Sequence, residues 1–181
     1  MRHTACSEYI LGIQIGHNAT AAIIDPDGTI LAAIGEERLS REKNHFGVPL
    51  RAVQECLKVC NIKHDEIKTV AMAVSRLPAR YIKGYEHLNE YATTVHLLNQ
   101  SPNLNASINF NNFSADFGLK TQDLRWVDHH LGHAASAYYT SGFDRCLIVT
   151  VDGTDGLYCA SANVAAGGAI TRLARSSDIC S

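Results

Sequence analysis

Three short apolar runs open the chain: Tyr9 to Ile15, Ala19 to Asp25 and Thr29 to Ile34. Gly16-His17-Asn18 separates the first two, and Asp25-Pro26-Asp27-Gly28, a strong turn signal, separates the second from the third. The pattern predicts an antiparallel meander of three strands. It ends in the charged stretch Gly35-Glu36-Glu37-Arg38. Pro49 then opens a predicted helix over 49–60, with Leu50, Val53, Leu57 and Cys60 on one face. Ile67 to Val74 returns as a strand.

The middle of the chain is less periodic. Tyr81, Tyr85, Leu88, Ala92, Val95 and Leu98 stand near helical spacing. Asn99 to Asn112 holds six asparagines with Pro102 among them, which is loop composition. This stretch reads first as a surface excursion without function; as an insertion it would offer Arg80, Tyr81, Tyr85 and the Asn-rich loop to an acceptor substrate. Regularity resumes at Leu124 to Asp128, a short strand. Ala134 to Thr140 predicts a helix that stops near Gly142. Cys146 to Val151 is a nearly continuous β-branched run, the composition of a buried strand. Strands 67–74 and 145–151 are expected in one sheet, covered by helix 49–60 and the helix after His133. No internal repeat is evident. Three antiparallel strands followed by helix and strand are the opening of the actin-like ATPase (ribonuclease H-like) fold. The expected class is therefore α/β: a half-domain with a mixed sheet, an antiparallel opening meander and helices packed on it.

Composition narrows the function classes. At 181 residues the chain suits one domain with a real core. A net charge of −2 gives no electrostatic reason to bind nucleic acid. No apolar run is long enough to span a bilayer, and no signal-peptide pattern is present. Cys6, Cys56, Cys60, Cys146, Cys159 and Cys180 include no Cys-x-x-Cys pair. They read as buried apolar thiols in a reducing cytoplasm.

The chemistry concentrates in Asp128-His129-His130-Leu131-Gly132-His133. If the helix begins at or just before the histidine pair, His129 and His133 are i and i+4 and share a face, where two imidazoles can hold one metal ion. His130 would point elsewhere, free to contact substrate. A capped helix start bearing polar surface histidines explains the same pattern equally well. Asp152 ends the strand nineteen residues after His133 and could add a carboxylate ligand. The turn Gly153-Thr154-Asp155-Gly156 could bring backbone N–H groups to phosphate; alone it reads first as a plain Asp-Gly turn.

Four segments together resemble the NodU/CmcH family of O-carbamoyltransferases, which modify nodulation factors and antibiotics. They are Leu11 to Ala22, Glu36 to Lys43, Val127 to Ala137, and Val151-Asp152-Gly153. The tRNA-modifying Kae1 proteins are similar to this family in fold and in the His-x-x-x-His site, and the Glu36 to Lys43 segment favours the carbamoyltransferases. The resemblance implies the N-terminal part, residues 1–181, of a Kae1-like domain; its C-terminal half and a YrdC-like domain have no counterpart here. The chain would then be a fragment or one piece of a split enzyme. The YrdC-like domain would make carbamoyladenylate from carbamoyl phosphate and ATP. The Kae1-like domain would pass the carbamoyl group to a hydroxyl of a small acceptor such as an antibiotic, a sugar or a nodulation factor. By the same resemblance His129, His133 and Asp152 ligate a divalent metal, iron being expected. His17 serves as general base, with Lys43 and His130 near the reacting group. Asn18, Arg41, Gly153, Thr154, Asp155 and Gly156 handle substrate or nucleotide. The last turn is one residue shorter than the family's usual pattern. A homodimer, or a partner carrying the missing half, would complete the enzyme in the cytoplasm, with neither nucleic acid nor membrane as partner. The competing readings are a non-catalytic metal- or nucleotide-binding module and a Kae1-like tRNA-modifying protein.

Overall fold

The computed structural model describes residues 8–73, 76–85, 87, 91–93, 108–120, 123–153 and 158–176. The chain divides into two compact units, Met1–Trp126 and Val127–Ser181.

The first unit opens with the expected meander: β1 (Tyr9–Gln14), β2 (Thr20–Ile24) and β3 (Ile30–Gly35). The register pairs Leu11 with Ile23 and Ile13 with Ala21. Because side chains alternate across a strand, Leu11, Ile13, Ala21 and Ile23 all turn to one buried face. A short helix, α1 (Glu36–Ser40), follows at once, then α2 (Leu50–Cys60). Ala52, Val53, Cys56 and Leu57 of α2 are buried in the same core as those strand residues. Burial of each large aliphatic side chain contributes roughly 1.5–3 kcal/mol. Asn61 ends α2 in the left-handed region, φ 53°, where its amide can reach back to the last carbonyls. β4 (Ile67–Met72) then pairs parallel to β1.

After β4 the structure departs from the spacing. β5 (Arg76–Pro78) pairs antiparallel with β6 (Tyr91–Thr93), so helical spacing through Ala92 does not make a helix there. Pairing with a distant strand overrides a weak local period. The Asn-rich stretch also ends differently from a loop. α3 (Phe110–Phe117) begins within it, and the Asn109 side chain accepts the Asn112 N–H at 3.2 Å. Asparagine is poor inside helices but favoured as their cap. Phe113 and Phe117 lie one turn apart and pack with Tyr81, which is fully buried. Tyr81 is therefore core rather than a substrate contact, and Arg80 forms an ion pair with Asp116 at 2.8 Å. β7 (Leu124–Trp126) completes the main sheet, parallel to β4, in the order β3-β2-β1-β4-β7. This is the mixed α/β sheet with an antiparallel opening that the actin-like reading requires.

The second unit contains α4 (His129–Ser141), β8 (Arg145–Val151), β9 (Ala160–Ala166) and β10 (Ala169–Arg175). The strands form their own antiparallel sheet, β10-β9-β8. The expectation that strands 67–74 and 145–151 share a sheet is thus corrected: β8 takes its partner from the strand that follows it in sequence. A repeat emerges that the residues do not show, since each unit carries a three-stranded meander. The buried-strand reading of β8 holds for one face only. Ile148 and Thr150 are buried, whereas Leu147, Val149 and Val151 are 66%, 63% and 79% exposed. Cys56, Cys60 and Cys146 are free thiols, but Cys159 is disulfide-bonded, correcting the expectation of thiols throughout. Among the described residues, no helix is long and apolar enough to cross a membrane.

Candidate metal centre

Asp128 sets the start of the histidine helix. It is the N-cap of α4, and its Oδ1 accepts the Leu131 N–H at 2.9 Å. Two further groups hold that carboxylate: the Tyr158 hydroxyl donates to Oδ2, and Arg172 Nη2 donates to Oδ1 at 2.6 Å. Burial works to raise the Asp128 carboxyl, but these hydrogen bonds and the Arg172 charge outweigh it and lower it from its ordinary value. With the helix started at His129, His129 and His133 fall one turn apart.

They converge on Asp152, the residue after β8. His129 Nε2 lies 2.8 Å and His133 Nε2 3.0 Å from the same Asp152 Oδ2, and the two nitrogens are 3.1 Å apart. Three donors on one face of an octahedral ion at about 2.1 Å would be separated by about 3.0 Å, so the triad fits a small divalent ion. Two imidazoles and a carboxylate also suit a borderline ion such as iron. Asp152 is lowered to about 2, first by its hydrogen bond with His129. Partial burial opposes that shift, and the Gly153 amide and His133 reinforce it. The group is therefore a carboxylate, ready as a ligand.

His130 has a different place from the one expected. It is fully buried, with Nδ1 2.7 Å from Thr150 Oγ1 and Nε2 3.0 Å from the Tyr158 carbonyl oxygen. Both ring nitrogens are engaged inside the protein, so the side chain cannot contact substrate in this arrangement. Helix geometry accounts for this, because the residue next to a ligand points about 100° away around the axis.

Apart from Gly153, the remaining site residues lie in the first unit or outside the described residues. His17 and Asn18 are exposed at the β1–β2 turn. The turn relies on Gly16 at φ 106° and Asn18 at φ 55°. Backbone hydrogen bonds tie it to the segment after α1: Gly16 and Gly47 exchange both amides at 2.8 and 3.0 Å, and the Ala19 N–H donates to the His45 carbonyl at 3.2 Å. Exposed Arg41 and Lys43 stand on that segment, so the fold brings the His17 turn and the basic residues into one local structure. Gly153 follows Asp152 directly, and its N–H donates to Asp152 Oδ1 at 2.6 Å. Thr154, Asp155 and Gly156 lie outside the described residues. Sequence reasoning missed Tyr158 and Arg172 as supports of Asp128. An Asp before a helix signals a cap, but nothing local points to its distant donors.

Residues 9–177 match the family described as Carbamoyltransferase N-terminus. The chain belongs to this family. The carbamoyltransferase-family chain is similar to the nodulation protein NolNO of Sinorhizobium fredii, at 31% identity over 74% of its own length and 19% of that protein. It is also similar to the uncharacterized protein sll1178 of Synechocystis, at 29% identity over 80% of the chain and 25% of that protein. It thus spans a quarter or less of these relatives. Among solved structures, YeaZ from Pseudomonas aeruginosa is 11% identical, with a TM-score of 0.49, over 92% of this chain and 64% of that one.

Proposed function

We propose that this chain supplies the metal-binding part of an O-carbamoyltransferase that moves a carbamoyl group from carbamoyladenylate to a hydroxyl of a small acceptor. The observation that carries the reading is the convergence of His129, His133 and Asp152 in a chain of this family. His129, His133 and Asp152 would hold a divalent ion, taken to be iron. When bound, the ion would anchor phosphate oxygens and offset the charge of the departing nucleotide. In the transfer, the acceptor oxygen bonds to the carbamoyl carbon, the bond from that carbon to the phosphate oxygen breaks, and AMP leaves with the electron pair. His17 is the proposed base that takes the hydroxyl proton, a role suited to an exposed imidazole. Lys43 and Arg41 are proposed to bind phosphate or the developing oxyanion. Asn18 and the turn from Gly153 to Gly156 complete the proposed substrate contacts. Localisation in the cytoplasm, and assembly as a homodimer or with a partner bearing the rest of the enzyme, belong to the same proposal.

The test supplies carbamoyladenylate directly to the iron-loaded protein with a panel of hydroxylated acceptors, using mass spectrometry to detect an added carbamoyl group. Transfer that His17→Ala lowers about 10²–10⁴-fold supports the reading. Metal and nucleotide binding without transfer to any acceptor would favour the non-catalytic module instead.

A further inference from the structure

His130 is buried, bears the chemistry of a catalytic group, and has no part in the transfer. Its hydrogen bonds run through four side chains. His130 Nδ1 lies 2.7 Å from Thr150 Oγ1, Thr150 Oγ1 lies 2.7 Å from Ser161 Oγ, and Asn163 Nδ2 donates to Ser161 Oγ at 2.9 Å. His130, Thr150, Ser161 and Asn163 are all buried. The far nitrogen, Nε2, is 3.0 Å from the Tyr158 carbonyl oxygen.

The direction of this ladder follows from its end. A carbonyl can only accept, so Nε2 of His130 carries a proton, and in the neutral ring Nδ1 then accepts. Thr150 must then donate to His130. Its one hydroxyl proton is used, so Ser161 donates to Thr150, and Asn163 donates to Ser161. Every hydroxyl along the ladder has one orientation, which makes the ladder a rigid tie rather than a set of interchangeable contacts.

What the ladder ties is specific. His130 is the neighbour of His129 on α4. Thr150 is two residues before Asp152 on β8. The Tyr158 carbonyl belongs to the same segment as Cys159, whose carbonyl accepts the Asp152 N–H at 3.0 Å. The ladder therefore joins α4, which carries the two histidines, to β8, which leads into Asp152, and does so without touching the ligand atoms.

We infer that His130 is a positioning residue, and that the Thr150–Ser161–Asn163 ladder behind it sets the geometry of the His129–His133–Asp152 triad. This rests on the metal reading above, in the sense that the triad is placed for an ion. Removing a group that orients metal ligands typically lowers metal affinity roughly 10–100-fold.

The experiment titrates Co(II) into the purified 181-residue chain. It follows the visible spectrum of the bound ion, and records the imidazole nitrogen resonances of the metal-free protein. Thr150→Val keeps the shape and removes the donor. It is expected to weaken Co(II) binding roughly 10–100-fold and to move the His129 and His133 resonances. Thr150→Ser keeps the hydroxyl and is expected to retain wild-type binding and spectrum. Thr150→Val with wild-type affinity and unmoved resonances would overturn the inference. If the wild-type chain binds Co(II) no better than His129→Ala, the metal reading falls and the metal-free resonances alone decide positioning: moved in Thr150→Val supports it, unmoved overturns it. Should Thr150→Val fail to fold, Ser161→Ala cuts the ladder one rung further away and is read by the same criteria.

Discussion

Glu36 is a charged residue doing a core residue's work. It stands in a segment that would otherwise pass for a solvated charge run, yet it is buried. Its carboxylate accepts the Ala52 N–H at 2.8 Å and the Arg51 N–H at 3.4 Å, in the first turn of α2. Pro49, the N-cap, contributes no side-chain cap, so Glu36 satisfies amides that the helix start leaves open and places a negative charge at its positive end. Glu36→Ala should cost about 1–3 kcal/mol in urea unfolding, and Glu36→Gln less, since an amide oxygen still accepts. An unchanged midpoint in Glu36→Ala would remove the capping role. Cys56 shows burial acting on chemistry. Its thiol is pushed up to about 11, first by burial and then by Cys60 nearby. The folded protein thus holds this proton more tightly than the unfolded chain does. The contribution to stability is whole below the ordinary thiol range and is lost as pH rises through about 11. Native protein at pH 8 should leave Cys56 unalkylated by iodoacetamide, and urea should expose it; rapid labelling without urea would contradict its burial.

Helix α4 depends on one cap more than on its own propensities. Its first turn carries His129, His130 and Gly132, none a strong helix former. Asp128 closes that turn while bonding Tyr158 and Arg172, so the start of the helix and strand β10 share an anchor. Loss of an N-cap costs about 1 kcal/mol, and loss of a carboxylate beside a half-buried arginine adds to that. Asp128→Ala should therefore lower stability by roughly 2 kcal/mol or more and loosen the first turn, which carries His129. Hydrogen exchange at Leu131 and Gly132 measures this directly, and wild-type protection there would show that the cap is dispensable. The same element shows how much could be read beforehand. The i, i+4 histidines and the stop at Gly142 were legible, because both follow from local helix rules. The inward turn of His130 was not, because it depends on Thr150 and Tyr158 arriving from another strand and its loop.

The two units differ in what holds them together. The buried cluster of the first extends from Leu11 to Leu124 across sheet and helices. Among the described residues that of the second is smaller: Ala134, Tyr138, Ile148 and Ala165, with Cys146 and Ile170 packed against them. With this smaller apolar cluster among its described residues, the second unit should open at lower free energy, and the backbone amides of α4 and β8 should exchange faster than those of β1 and β4. A metal bound by His129, His133 and Asp152 would offset this. Saturation at one hundred times the dissociation constant adds about 2.7 kcal/mol. Exchange should then slow in α4 and β8 and leave β1 and β4 unchanged, which hydrogen-exchange mass spectrometry resolves. Uniform protection of both units, or none, would contradict metal binding at this triad.

Local rules were enough for the opening meander, for α2, for the family segments and for the placing of His129 and His133 one turn apart, since strand alternation, turn chemistry and helical spacing act over a few residues. Other features depended on contacts between distant parts of the chain. The separate sheet of β8 arises because a hairpin neighbour meets its hydrogen bonds first. Helix α3 forms in asparagine-rich sequence because Phe113 and Phe117 find Tyr81. Glu36 and His130 turn inward because backbone amides, a carbonyl and hydroxyls from elsewhere satisfy them. A polar side chain is stable in the interior only when partners are already placed around it, and that placement is a property of the assembled fold.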